Sequence, residues 1–195
     1  DNNKNIDKKS KIKNNGDHYT SAANKKKPSV FILGDSMLKN VEGYNITKML
    51  RYRQSVKVRP FLSAKTRCMS DHVKPTLRDE NPDHVIHVGT NNLVSDQTAV
   101  QICNEIINLS ASIRDQNIQV SISGIVPRND DEELSDKAML VNEYLSNISQ
   151  NTGFKFILHD NIRPQYHLTS HGLHKNQKGS SVLNSNFKRF IETLY

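Results

Sequence analysis

Three stretches of the chain carry residue types that together could perform acyl transfer. Gly34-Asp35-Ser36 follows a short apolar run and offers a hydroxyl, while Gly89-Thr90-Asn91-Asn92 follows another and offers side-chain amides. Ser170-His-Gly-Leu-His174, far downstream, offers imidazoles. A hydroxyl needs a base to become a nucleophile. The carbonyl oxygen under attack turns anionic and needs fixed donors, here the Asn91 amide and the N–H groups of a glycine-containing turn. Ser36 is expected to open a helix, where free N–H groups and the dipole favour negative charge. Each piece also has an ordinary reading: a helix N-cap, a turn, a solvated loop histidine. Two of them follow strands and the third sits in a loop just before the last helix, and that joint placement is what points to one site.

The elements that must position these residues alternate strand and helix. Ser29 to Leu33 is a continuous apolar run, the mark of a strand buried on both faces. Met37 to Arg51 reads as a weak helix interrupted near Gly43, and Val56, Val58 and Phe61 as a second strand. Met69 to Arg78 is a short helix and His84 to Val88 a third strand. Ala99 to Ile113 places Ile102, Ile106, Leu109 and Ile113 on one helical face. A strand over Val120 to Val126, a helix over Leu134 to Ile148, a strand over Phe154 to Leu158 and a helix over Val182 to Leu194 complete the chain. This pattern predicts a three-layer α/β/α sandwich with a five-stranded parallel sheet of flavodoxin-like order. Ligands in such sheets bind outside the carboxyl ends of the strands, beside the first and third.

Other chemistries find less support. His167, His171 and His174 could be read as metal ligands, but Thr169, Ser170 and Gly172 make a poor helix interior, so no metal is expected. No GxxxxGK[ST] or GxGxxG string occurs, so a nucleotide-binding sheet would lack its phosphate cradle. The apolar runs are too short to span a bilayer. Cys68 and Cys103 form no motif, which points to a reducing, cytoplasmic compartment.

The net charge of +7 is unevenly distributed: residues 1–27 hold eight Lys against three Asp, while the remainder is nearly balanced. This leader has almost nothing apolar to bury, so it is expected to be disordered, with residues 28–195 forming the domain. A Lys-rich arm can make weak contact with nucleic acid, although no aromatic or Arg pattern accompanies the lysines and a solvated linker is the plainer reading.

Taken together, the three stretches resemble the blocks of the SGNH (GDSL-type) hydrolases. Phe31 to Leu38 matches the first block, Val88 to Leu93 is similar to the third, and Gly172 to Asn176 to the fifth. The likeness spans about residues 29–193. Gly34-Asp-Ser-Met-Leu-Lys-Asn-Val41, His87-Val-Gly-Thr-Asn91 and Gly172-Leu-His-Lys-Asn176 carry a finer likeness to the esterase-like domains of LINE-type retrotransposon first reading frames. The resemblance implies Ser36 as nucleophile, His174 as base and Asn91 in the oxyanion hole with the Ser36 N–H. It also implies a small carboxylic or acetyl ester as substrate, an acyl-enzyme, and no cofactor. Two positions depart from the pattern. Ser63 stands where the second block supplies a glycine, which leaves the N–H donor available. His171 stands where the triad acid is usual, leaving a Ser–His dyad with Asp160 or a backbone carbonyl to orient His174. Loss of an orienting Asp costs about 10⁴ in rate in serine hydrolases. The rival expectation is a catalytically decayed interaction module whose basic leader contacts nucleic acid or a partner.

Overall fold

The computed structural model describes residues 27–52, 54–62, 64–87 and 89–195. All of the Lys-rich leader except Lys27, and the oxyanion candidate Ser63, therefore lie outside the described residues. Strands β1 (Ser29–Gly34), β2 (Ser55–Pro60), β3 (His84–His87), β4 (Gln119–Ser123) and β5 (Lys155–Ile157) form one sheet in the order β2-β1-β3-β4-β5. Every pairing is parallel, as the sequence pattern predicts. The helices are α1 (Gly43–Met49), α2 (Thr66–Glu80), α3 (Ala99–Arg114), α4 (Glu132–Thr152), α5 (Pro164–His167) and α6 (Gln177–Glu192).

Side chains alternate across a strand, and β1 shows what the continuous apolar run is for. Phe31 and Leu33 enter the core shared with α2, α3 and α4, while Val30 and Ile32 enter the core shared with α1 and α6. All four are buried, and full burial of each contributes about 1.5–3 kcal/mol. The period in α3 is equally literal: Ile102, Ile106, Leu109 and Ile113 are all buried. Thr98 starts that helix with a capping box to Gln101.

The structure corrects several local expectations. Met37 to Arg51 is not one interrupted helix. A three-residue 3-10 turn, Ser36–Leu38, is followed by Asn40 in the left-handed region (φ 64°) and only then by α1. Helix α1 starts tight against β2, since a Cβ on Gly43 would lie 2.3 Å from the Val56 carbonyl oxygen. Strand β4 stops at Ser123 rather than Val126. Ile125 is held instead by the Asn142 side chain, which accepts its N–H at 2.7 Å and donates to its carbonyl at 2.9 Å. Helix α5 was not foreseen.

Candidate active site

The carboxyl ends of β1 and β3 are tied together by one buried side chain. Asp35, fully buried, accepts the Met37 N–H at 2.9 Å and so caps the 3-10 turn that begins at Ser36. Ser36 does not open an α-helix, so the expected helix dipole is reduced to a three-residue turn whose Met37 and Leu38 N–H groups are already bonded to Asp35. The same carboxylate accepts the Asn91 N–H at 2.9 Å and the Thr90 N–H. Three N–H donors offset much of the cost of burying a carboxylate. Burial still pushes the Asp35 pKa up, against those donors and the nearby charge of Lys175.

The two asparagines of the second stretch have separate surroundings. Asn91 is half-buried and spends one of its side-chain N–H groups on the Ala64 carbonyl at 3.0 Å, in the loop that follows β2. An amide has two such donors, so one remains. Asn92 is fully buried: its oxygen accepts from the Thr66 N–H (2.8 Å) and hydroxyl (3.0 Å), and its nitrogen donates to Glu105 at 2.7 Å. It thus caps α2, whose own N-cap residue Lys65 offers no side-chain bond.

The histidine loop is a closed hairpin. Leu168 and Lys175 form an antiparallel bridge, the Thr169 N–H donates to the His174 carbonyl at 2.7 Å, and the Gly172 N–H closes a turn on the Thr169 carbonyl at 2.9 Å. Gly172 is required there: φ is +70°, and a Cβ would lie 2.4 Å from the Asn129 side chain and 2.7 Å from the Asp130 nitrogen. Its carbonyl accepts the Asn129 N–H at 3.0 Å, so the segment after β4 backs this loop. His171 and His174 are both exposed. Among the described residues neither the Ser36 hydroxyl nor the His174 ring makes a hydrogen bond. The structure brings their loops together without joining their side chains.

Among the described residues Asp160 makes no hydrogen bond or ion pair with His174. It lies on an exposed turn after β5, facing a cleft of about 640 Å³ lined also by Asn161, Arg163, Tyr166, His167 and Lys178. Asp130 is a carboxylate on which the charge of His174 acts, as the weakest of several influences. Arg128, with only 5% of its side chain exposed, grips Asp130 through two bonds of 2.7 and 2.5 Å. That grip, more than His174, holds the Asp130 carboxyl below the usual range. Among the described residues no three His, Cys, Asp or Glu side chains gather into a metal-ligand set, and no helix is long and apolar enough to cross a membrane. His167 instead accepts the Arg163 N–H on Nδ1 at 2.8 Å.

Two residues that sequence reasoning missed lie beneath the site. Lys175, 9% exposed, donates its ammonium to the Met37 carbonyl. His159, 1% exposed, bonds Ser123 through Nε2 at 2.7 Å and Asn186 through Nδ1 at 3.0 Å. Nothing in the local sequence distinguishes Lys175 from a surface lysine. For Asp130, the Arg128-x-Asp130 spacing was the available signal.

No family model matches the chain, and no curated protein matches its sequence. Solved structures do match. A GDSL-like lipase from Bacteroides thetaiotaomicron superposes with TM-score 0.69 at 12% identity, over 86% of this chain and 89% of that one. Psychrotrophic esterase EstA from Pseudoalteromonas sp. gives 0.69 at 15%, over 85% and 97%. TesA gives 0.71 at 15%, over 86% and 99%. The fold is that of the SGNH hydrolases. In this SGNH fold the loops after β1 and β3 and the loop before α6 meet at one edge of the sheet, through Asp35 and Lys175. That edge lies beside β1 and β3, where the strand order reverses.

Proposed function

We propose that the chain is an SGNH-type serine esterase that hydrolyses small carboxylic or acetyl esters through an acyl-enzyme. The observation that carries this reading is the Asp35 carboxylate, which binds the N–H groups of Met37, Thr90 and Asn91 and so fixes the Ser36 turn against the Asn91 loop. The names of the structural neighbours, lipases and esterases among them, agree with it. Ser36 Oγ attacks the ester carbonyl carbon while His174 takes its proton. The oxyanion is held by the Ser36 N–H, the second Asn91 side-chain N–H and, by resemblance, the Ser63 N–H. Collapse breaks the C–O bond, and His174 returns the proton to the departing alcohol. Water then attacks the acyl-Ser36 with His174 again as base, releasing the acid and the free serine. No cofactor takes part.

With histidine at position 171, the orienting charge is assigned to Asp130, on the segment that backs Gly172. Arg128 shares that carboxylate, so the stabilisation of a protonated His174 is weaker than in a full triad. The test is hydrolysis of 4-nitrophenyl acetate by the wild type and by Ser36→Ala. Turnover lost in S36A supports the reading, as does stoichiometric labelling of Ser36 by a phosphonate ester. Equal activity in both proteins sinks it. The second reading, a decayed interaction module, draws on the unbonded Ser36 and His174 side chains. It gains if the chain is inert on every ester, and a contact between its basic leader and nucleic acid would then weaken steeply with salt.

A further inference from the structure

We propose that Lys175 is a positioning residue of this site: its ammonium clamps the His174 loop onto the Ser36 turn and strengthens the Ser36 N–H as an oxyanion donor. The proposal rests on the esterase reading and adds a residue to it.

Lys175 follows His174 directly, and its backbone is fixed by the bridge to Leu168. Its ammonium crosses the site to the Met37 carbonyl, one residue beyond Ser36. A buried ammonium is tolerated only when paired, and Asp35 at the end of β1 supplies the opposite charge. His159, after β5, is the other titratable group facing it. The hairpin therefore cannot slide along the turn without stranding a charge.

The same bond starts a series that ends at the oxyanion. Lys175 pulls on the Met37 carbonyl, whose peptide unit ends in the Leu38 N–H. That N–H donates to the Asp35 carbonyl at 3.0 Å. The Asp35 carbonyl belongs to the peptide unit whose other end is the Ser36 N–H. Hydrogen bonds in series polarise one another, so a positive charge at the start makes the terminal N–H a better partner for a developing negative charge. Burial lowers the Lys175 pKa to about 8 against the attraction of Asp35, so the charge is removable within an accessible pH range.

The experiment compares the full chain with Lys175→Met and Lys175→Arg, using 4-nitrophenyl acetate across neutral and alkaline pH. K175M should lower kcat by about ten- to a hundredfold with KM changed less than about threefold, because the effect falls on developing charge. The wild-type kcat should decline above about pH 8, and K175M should lack that decline. K175R, which keeps a cation, should retain more activity than K175M. Amide hydrogen exchange is read in parallel: the Thr169 and Asn176 N–H groups that close the hairpin should exchange faster in K175M, while those of the sheet are unchanged. Wild-type kcat with the same alkaline decline in K175M overturns the proposal, as does unchanged exchange at Thr169 and Asn176. Should K175M fail to fold, a wild-type profile without an alkaline decline overturns it alone. Should S36A prove as active as the wild type, the esterase reading falls, and the exchange data still decide the clamp.

Discussion

The Asn91 N–H reaches across 56 residues of sequence to the Asp35 carboxylate at 2.9 Å, so the Asn91 loop and the Ser36 turn are anchored on one buried carboxylate. Asp35→Ala would strand three backbone N–H groups and leave Lys175 without its counter-charge. Each buried donor left without a partner costs about 1–3 kcal/mol, so the three together cost at least about 3 kcal/mol. Urea unfolding should show a loss of about 3 kcal/mol or more for D35A and a smaller one for the isosteric Asp35→Asn. A D35A loss below about 0.5 kcal/mol, the size of an ordinary surface change, would rule out the anchoring role.

Adjacent asparagines should give opposite phenotypes. Asn91→Ala should lower kcat by about 10²–10³ with little change in stability if its second N–H serves the oxyanion as proposed. Asn92→Ala should cost about 1–3 kcal/mol by stripping partners from Thr66 and Glu105, with kcat preserved in the folded fraction. Kinetics and melting on the same two proteins check this, and identical behaviour would contradict the division of roles.

The third member of the triad is tested by changing charge at two positions. Asp130→Asn keeps a partner for Arg128 but removes the charge that acts on His174. It should lower kcat about tenfold or more, below the roughly 10⁴ seen when a dedicated triad acid is lost. His171→Asp should raise kcat, by less than that full factor, since residue 171 is exposed on its turn. A D130N protein with wild-type kcat would remove Asp130 from the mechanism.

Acid stability depends on two buried histidines. Burial lowers the pKa of His159 and of His84 from the usual 6.5 to about 4. Between those values the unfolded chain binds more protons than the folded one, so stability is complete above 6.5 and is lost as pH falls toward 4. Each histidine contributes a slope of up to about 1.4 kcal/mol per pH unit. Unfolding free energies measured through this window should rise less steeply with pH in His159→Gln. An unchanged slope would mean that His159 is not held neutral.

Deleting residues 1–27 should leave the melting temperature within about 2 °C, because that segment has almost no apolar residues to bury. A larger fall would show that the leader packs on the domain.

How much of this was readable in advance depended on the range of the interaction. Strand β1 announced itself because a strand buried on both faces must be apolar at every position, and α3 because one buried face imposes a period of 3.6. The Ser36, Asn91 and His174 stretches were visible because each combines turn residues with a reactive side chain over a few positions. The segment after Ser36 misled, because Met37, Leu38 and Val41 are buried with helix-like spacing while Asn40 turns the backbone left-handed. Lys175 was invisible for a different reason. Its partner Met37 lies 138 residues away, and a buried lysine is written in the same letters as a solvated one. Sequence reading named Asp160, or a backbone carbonyl, as the group to orient His174 and passed over Asp130. Asp130 came into view only when the Gly172 turn closed on Asn129, because contact across the sheet edge depends on how the loops pack and not on their order along the chain.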